Sequence, residues 1–313
     1  MHPAASIILF TVASGIGYGM LAFQGLHALA RAPEPAYGVT AIGVALALVS
    51  AGLASSTFHL GRPERAWRAL SQWRSSWLSR EGVLALLGYA PALALAAAIA
   101  LPEALSSLRA PAGLATALLA AATVACTAMI YASLKPIRQW RSPLVVAVYL
   151  AYAAAGGVLW MAALARLFGY RPPVETPAVV VTTALCWAVA RRYWRHVDRA
   201  PARQSAADAL GLSPGTRVRP LDAPHTEESY IQREMGFRVA RRHARALRRL
   251  AEGAGLALPI ALAPAAAVLP HWAATAALVL AAAAFTLGAL VQRWLFFAEA
   301  THTVTLYYGA PAA

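Results

Sequence analysis

Residues 82–101 read GVLALLGYAPALALAAAIAL, an unbroken run from Gly82 to Leu101 with no charged side chain. Wound as a helix rising about 1.5 Å per residue, such a run crosses a hydrocarbon core of roughly 30 Å. Its apolar positions are continuous. A barrel strand would alternate apolar and polar positions, so the run predicts a helix. Similar runs recur at about 5–29, 38–58, 112–134, 143–168, 175–194, 253–270 and 273–297. The expected fold is all-α, a polytopic membrane protein with about eight transmembrane helices in a bundle. Residues 1–194 hold six spans. Residues 195–252 form a basic loop with an amphipathic helix, and residues 253–313 hold two more spans and a C-terminal tail. The seventh span is interrupted by Pro259, Pro264 and Pro270, which a membrane helix tolerates when neighbours satisfy the freed carbonyls.

The composition agrees. Of 313 residues, 59% are hydrophobic and 13% charged, against roughly 45–50% and about 25% in soluble chains; the mean hydropathy is +0.55. The first span has no basic leader, so no cleavable signal is expected. Cys126 and Cys186 both fall inside apolar runs. Without a CxxC pair the chain itself is expected to hold no iron–sulfur cluster and no cysteine-type metal site.

The net charge of +14 comes almost entirely from arginine. Numbering the spans in order, the N-terminal side receives Arg62, Arg65, Arg68, Arg74 and Arg80, then Lys135, Arg138 and Arg141, then the long 6–7 connection. The opposite side receives Arg31, Arg109, Arg166 and Arg171. This bias predicts both termini in the cytoplasm. Trp140, Trp194 and Trp294 fall near the same ends, where an interfacial aromatic belt would lie.

In the 6–7 connection, Thr226 is a plausible N-cap followed by Glu227 and Glu228, and an apolar stripe runs through Ile231, Met235, Val239, Ala246 and Leu250. The other face carries Arg233, Arg241, Arg245, Arg248 and Arg249. Such a helix suits an anionic lipid surface or an acidic partner subunit; no nucleic-acid reader motif accompanies it. In the first span, Ser14-Gly15-Ile16-Gly17-Tyr18-Gly19 reads as close helix packing or as a thin wall beside a flat ligand.

The chemistry is expected between spans two and three. His59 sits at the end of one and Glu81 at the start of the next, at one membrane depth. A quinone needs a hydrogen-bonding group at each carbonyl, a path to water for two protons, and lipid for its tail. A histidine and a carboxylate at the water boundary meet those needs. Arg62 or Arg80 would steady an anionic ring and Trp77 would stack on it. A basic loop with Glu81 as a salt-bridge partner is the plainer reading. A solute transporter should bury ionisable groups and break helices in matching halves. A cytochrome b-type subunit needs facing axial histidines. Only the seventh span looks broken, and His27 and His271 share one side without lying at a span centre. A transporter and a cytochrome b-type subunit stay as alternatives, while no haem is expected.

At these residues the sequence resembles the membrane anchor subunit of dimethyl sulfoxide reductase and its relatives. The resemblance rests on His2-Pro3, Phe10-Thr11 and Ser14 to Gly19, on Ser56-Thr57-Phe58-His59-Leu60-Gly61-Arg62-Pro63, on Trp73 to Gly82, and on Arg233 to Arg241. It implies an eight-helix anchor without a prosthetic group in a bacterial inner membrane. Such an anchor exchanges electrons between an exchangeable quinone or quinol and an iron–sulfur subunit, which serves a molybdopterin catalytic subunit. The family's quinol-site histidine and carboxylate map to His59 and Glu81. The best-known member is drawn with its termini in the periplasm, opposite to the charge count here. Similar sequences look like anchors of cytoplasm-facing molybdoenzymes.

Overall fold

A computed structural model describes residues 5–57, 62–170, 175–199, 205–213, 215–219, 221–222 and 238–308. Its helices are α1 (Ala5–Ala30), α2 (Pro35–Thr57), α3 (Trp77–Ala100), α4 (Pro102–Ala132), α5 (Leu144–Leu167), α6 (Glu175–Arg199), a single turn α7 (Ala206–Ala209), α8 (Arg238–Glu252), α9 (Leu258–Val268) and α10 (His271–Ala298). A 3-10 segment, Pro63–Leu70, precedes α3. Among the described residues there is no strand, and Ile137 and His302 form an isolated bridge. The all-α bundle expected from the sequence is what forms.

Among the described residues, seven helices are long and apolar enough to cross a membrane. The eighth, α6, has the length at 25 residues, but Arg191, Arg192, Arg195 and His196 crowd its last turns and dilute its apolar content. It packs against α5 and α9 all the same, and so completes the bundle.

Helix α1 is the hub, touching α2, α4, α5 and α10. Its glycines set the distances. A Cβ at Gly17 would lie 2.6 Å from the Ala45 carbonyl of α2, and one at Gly19 would lie 1.8 Å from the Ala153 carbonyl of α5. Backbones that approach this closely leave no room for a side chain. Gly15 differs, since a Cβ there meets nothing within 4 Å. Close packing therefore accounts for Gly17 and Gly19, whereas Gly15 thins the helix beside open space. Cys126 and Cys186 are buried, as their apolar surroundings predict.

Three expectations need correction. The basic helix does not end before the seventh span. It runs into that span, and Arg241–Val268 is one helical rod of 28 residues. A π-turn at Gly253–Ala257 joins its halves. The extra residue in that turn relieves the clash that Pro259 would make with the carbonyl four residues back, so the proline interrupts the ladder without ending the helix. The expected apolar stripe is also out of phase. Ala246 and Leu250 are exposed, while Ala244, Leu247 and Ala251 face the bundle. The start of the stripe, 226–237, and Arg233 lie outside the described residues. Lastly, Trp140 and Trp194 are not an interfacial belt. Both are core residues, and Trp140 donates to the Phe296 carbonyl at 2.9 Å while stacking on that ring.

Candidate functional site

At the Arg-rich end of the bundle, α1, α2, the 3-10 segment, α3 and α4 enclose a cleft of about 690 Å³. Ile7, Phe10, Leu53, Leu78, Ala85 and Ile130 make its wall largely apolar. Glu81 and Tyr131 supply polar groups from inside, and Arg62 and Arg65 from the exposed rim.

Local chemistry places Glu81. Ser76 caps α3 by accepting from the Ser79 amide, and Ser79 Oγ donates to the Ala69 carbonyl. Arg80 donates through Nε to the Trp73 carbonyl at 3.0 Å and through Nη2 to the Arg74 carbonyl at 2.6 Å, with its guanidinium 4.2 Å over the Trp77 ring. Gly82 lets the segment close in, since a Cβ there would meet Leu70 Cδ2 at 2.8 Å. These ties hold residues 63–76 against the first turns of α3. Glu81, one position on from Arg80, then points inward and is only 5% exposed.

Within the bundle Glu81 Oε1 accepts from the Thr127 hydroxyl of α4. Among the described residues it has no ion-pair partner, so the plainer reading of Glu81 as a salt-bridge acid for Arg80 or Arg65 fails. Thr127 Oγ1 also lies 3.1 Å from the Thr123 carbonyl. Its one hydrogen can go to either acceptor, so it can donate to a carboxylate or accept from a carboxylic acid.

The structure thus brings Glu81 and Arg62 to one cleft and keeps Arg80 and Trp77 out of its lining. Those two brace the loop instead. His59 lies outside the described residues, but Thr57 and Arg62, the described residues nearest it on either side, both line the cleft. Arg241 Nη2 donates to the Ala300 carbonyl at 3.1 Å, and Arg245 is exposed. Sequence reasoning missed Arg65, Thr127 and Tyr131. A rim arginine one helical turn from Arg62 was legible, whereas Thr127 and Tyr131 sit in an apolar run with no local signal.

The chain matches the family described as DMSO reductase anchor subunit (DmsC) over residues 1–248, a stretch that contains the whole cleft. It is also similar to a sulfite dehydrogenase subunit from Allochromatium vinosum, with 32% identity over 332 residues covering 100% of both chains.

Proposed function

The chain belongs to the DMSO reductase anchor subunit family and is the membrane anchor of a molybdoenzyme complex; on that premise we propose that the Glu81 cleft is where quinone or quinol meets the complex. The observation that carries this reading is a buried carboxylate with no ion-pair partner among the described residues, set in a mostly apolar cleft at the bundle end. The volume lies within the roughly 300–1,000 Å³ usual for small-molecule sites. The apolar wall suits a ring and the start of an isoprenoid tail. Glu81 takes or gives a proton at one ring oxygen, and Thr127 follows its protonation state by turning its hydrogen. His59 is assigned the other oxygen. Arg62 and Arg65 attract negative charge at the rim.

In this reading the Arg-rich end is covered by an iron–sulfur subunit, which carries electrons between the cleft and the molybdopterin subunit. The arginine bias supports a bacterial inner-membrane location with this end and both termini in the cytoplasm. The name of the Allochromatium relative makes sulfite the substrate we assign to the catalytic partner, with electrons flowing toward quinone.

The test uses the intact complex. With Glu81→Gln we expect quinone-linked turnover to fall by roughly 10²–10⁴, with full assembly and unchanged activity toward a soluble artificial acceptor. Wild-type quinone turnover in that variant would remove Glu81 from the site.

A further inference from the structure

A second, smaller space lies behind the cleft, among α1, α4, α5 and α10. Thr11, Ser14, Gly15, Tyr18, Tyr149 and Arg293 are among its lining residues, and its volume is about 20 Å³. A single water needs roughly 10–15 Å³ measured this way, so the chamber admits one atom-sized guest. The missing side chain at Gly15 helps keep it open.

Arg293 is 3% exposed, and its guanidinium lies 3.6 Å over the Tyr149 ring. Among the described residues, its buried Nε and Nη1 have no directed hydrogen-bond partner, and neither do the buried hydroxyls of Tyr18 and Tyr149. A guanidinium stays charged when buried. The stacked ring offsets part of the lost hydration, but an aromatic face accepts no N–H in the guanidinium plane. Among the described residues no carboxylate forms an ion pair with Arg293. Thr11 and Ser14 already spend their hydroxyl hydrogens on carbonyls of their own helix. Thr127, also in the lining, offers its hydrogen to Glu81 or the Thr123 carbonyl. What remains are guanidinium N–H groups, which only donate, and two phenols, which donate or accept and can turn their hydrogens toward a guest.

A donor set with a net positive charge rejects cations. A space for one atom rejects sulfate, phosphate and carboxylates. We propose that the chamber binds a halide ion, chloride in the cell, held by Arg293 with the hydroxyls of Tyr18 and Tyr149. The chamber is a separate space from the quinone cleft but adjoins it. Tyr131 lines the cleft and Tyr149 the chamber, with their rings stacked at 5.9 Å between centroids, and Thr127 of the chamber lining donates to Glu81 of the cleft.

The test is bromide substitution in the purified complex. Crystals grown in bromide should show an anomalous scattering peak between Arg293 and Tyr149, and the peak should vanish in Arg293→Gln. In solution, thermal unfolding at constant ionic strength should occur several degrees higher in chloride or bromide than in gluconate, because a ligand of the folded state stabilises it by mass action. Tyr149→Phe keeps the stacked ring and removes one donor. It should raise the half-saturating bromide concentration about tenfold, and it keeps the proposal testable should Arg293→Gln fail to assemble. No bromide peak, or equal melting in gluconate and halide, would mean the chamber holds only water and would overturn the proposal. A halide effect undiminished in both variants would place the ion elsewhere and overturn it equally.

Discussion

Two arginine-rich segments lie at one end of the bundle and use their charge differently. In residues 63–80, Arg68 and Arg74 lie over the rings of Trp67 and Trp73, each at 5.6 Å. Those tryptophans are 66% and 54% exposed, so both pairs sit on the surface. In α8, Arg248 grips Asp198 of α6 with 2.9 Å contacts to both oxygens, bonds Glu299 beyond α10, and stacks 3.9 Å over Trp194. One side chain fastens three elements. Arginine density was the same signal in both segments. What separates the roles is whether carboxylates from distant segments come within reach, which only the fold decides.

That contrast is broken most directly at Arg248. Removing it leaves Glu299, whose side chain is 11% exposed, without its cation. Burial already pushes the Glu299 carboxyl above its ordinary range, with Arg248 opposing. We expect Arg248→Ala to cost about 2–3 kcal/mol, below the full value for a buried pair because Asp198 is largely solvated. Arg248→Lys should recover part of this, since it keeps charge but loses the fork that holds Asp198 and Glu299 together. Denaturant unfolding of the complex measures both. A loss under ~0.5 kcal/mol in Arg248→Ala would erase the distinction between the segments.

Arg80 is the structural arginine of the other segment and should show a smaller effect of a different kind. Arg80→Ala removes two charge-assisted bonds to the Trp73 and Arg74 carbonyls. These are partly solvated, so global stability should fall by only about 1 kcal/mol. The cleft wall loosens, and KM for quinone should rise several-fold with kcat less affected. A fall in kcat alone would place Arg80 at the chemistry instead of behind the wall. Arg68→Ala, Arg74→Ala and Arg245→Ala, all at exposed positions, should change stability by less than ~0.5 kcal/mol. If Arg245→Ala also strips the partner subunit from membranes at raised salt, the outward face of α8 is the docking surface.

The bundle was legible because a span is a one-dimensional property: about twenty apolar residues read the same in the chain and in the membrane. Glu81 was legible because an acid at the start of an apolar run is conspicuous. The partners of these residues were not. Thr127 differs in no local way from Thr116 or Thr123, which bond only their own helix. Arg293 is a lone charge near the end of an apolar run, and only the packing of α10 against α5 shows it stacked on Tyr149. The phase of α8 was misjudged because Arg248 is an inward residue. A pattern that counts arginine as outward rotates the helix to suit.

The smallest expected effect concerns the tail that closes this end. Thr301 donates from its amide to Gln139 Oε1 at 3.2 Å, Thr303 to the Pro136 carbonyl at 3.0 Å, and Val304 to His302 Nδ1 at 3.0 Å. The last bond requires an unprotonated Nδ1. Burial accordingly holds the His302 imidazole below its ordinary value of 6.5. The released tail therefore binds a proton more readily than the docked one. Docking is fully stable above 6.5 and weakens as pH falls through the range below it. Protonation should loosen the tail without unfolding the bundle, because the group is largely solvated. Amide exchange at Thr303 and Val304, corrected for its intrinsic pH dependence, should quicken on acidification, and His302→Gln should abolish that change. The Arg248 contacts, tested over the same range, should hold, because a guanidinium does not titrate there. If both loosen together, the tail and the α8 contacts open as one unit, and the end of the bundle has a single closure instead of two.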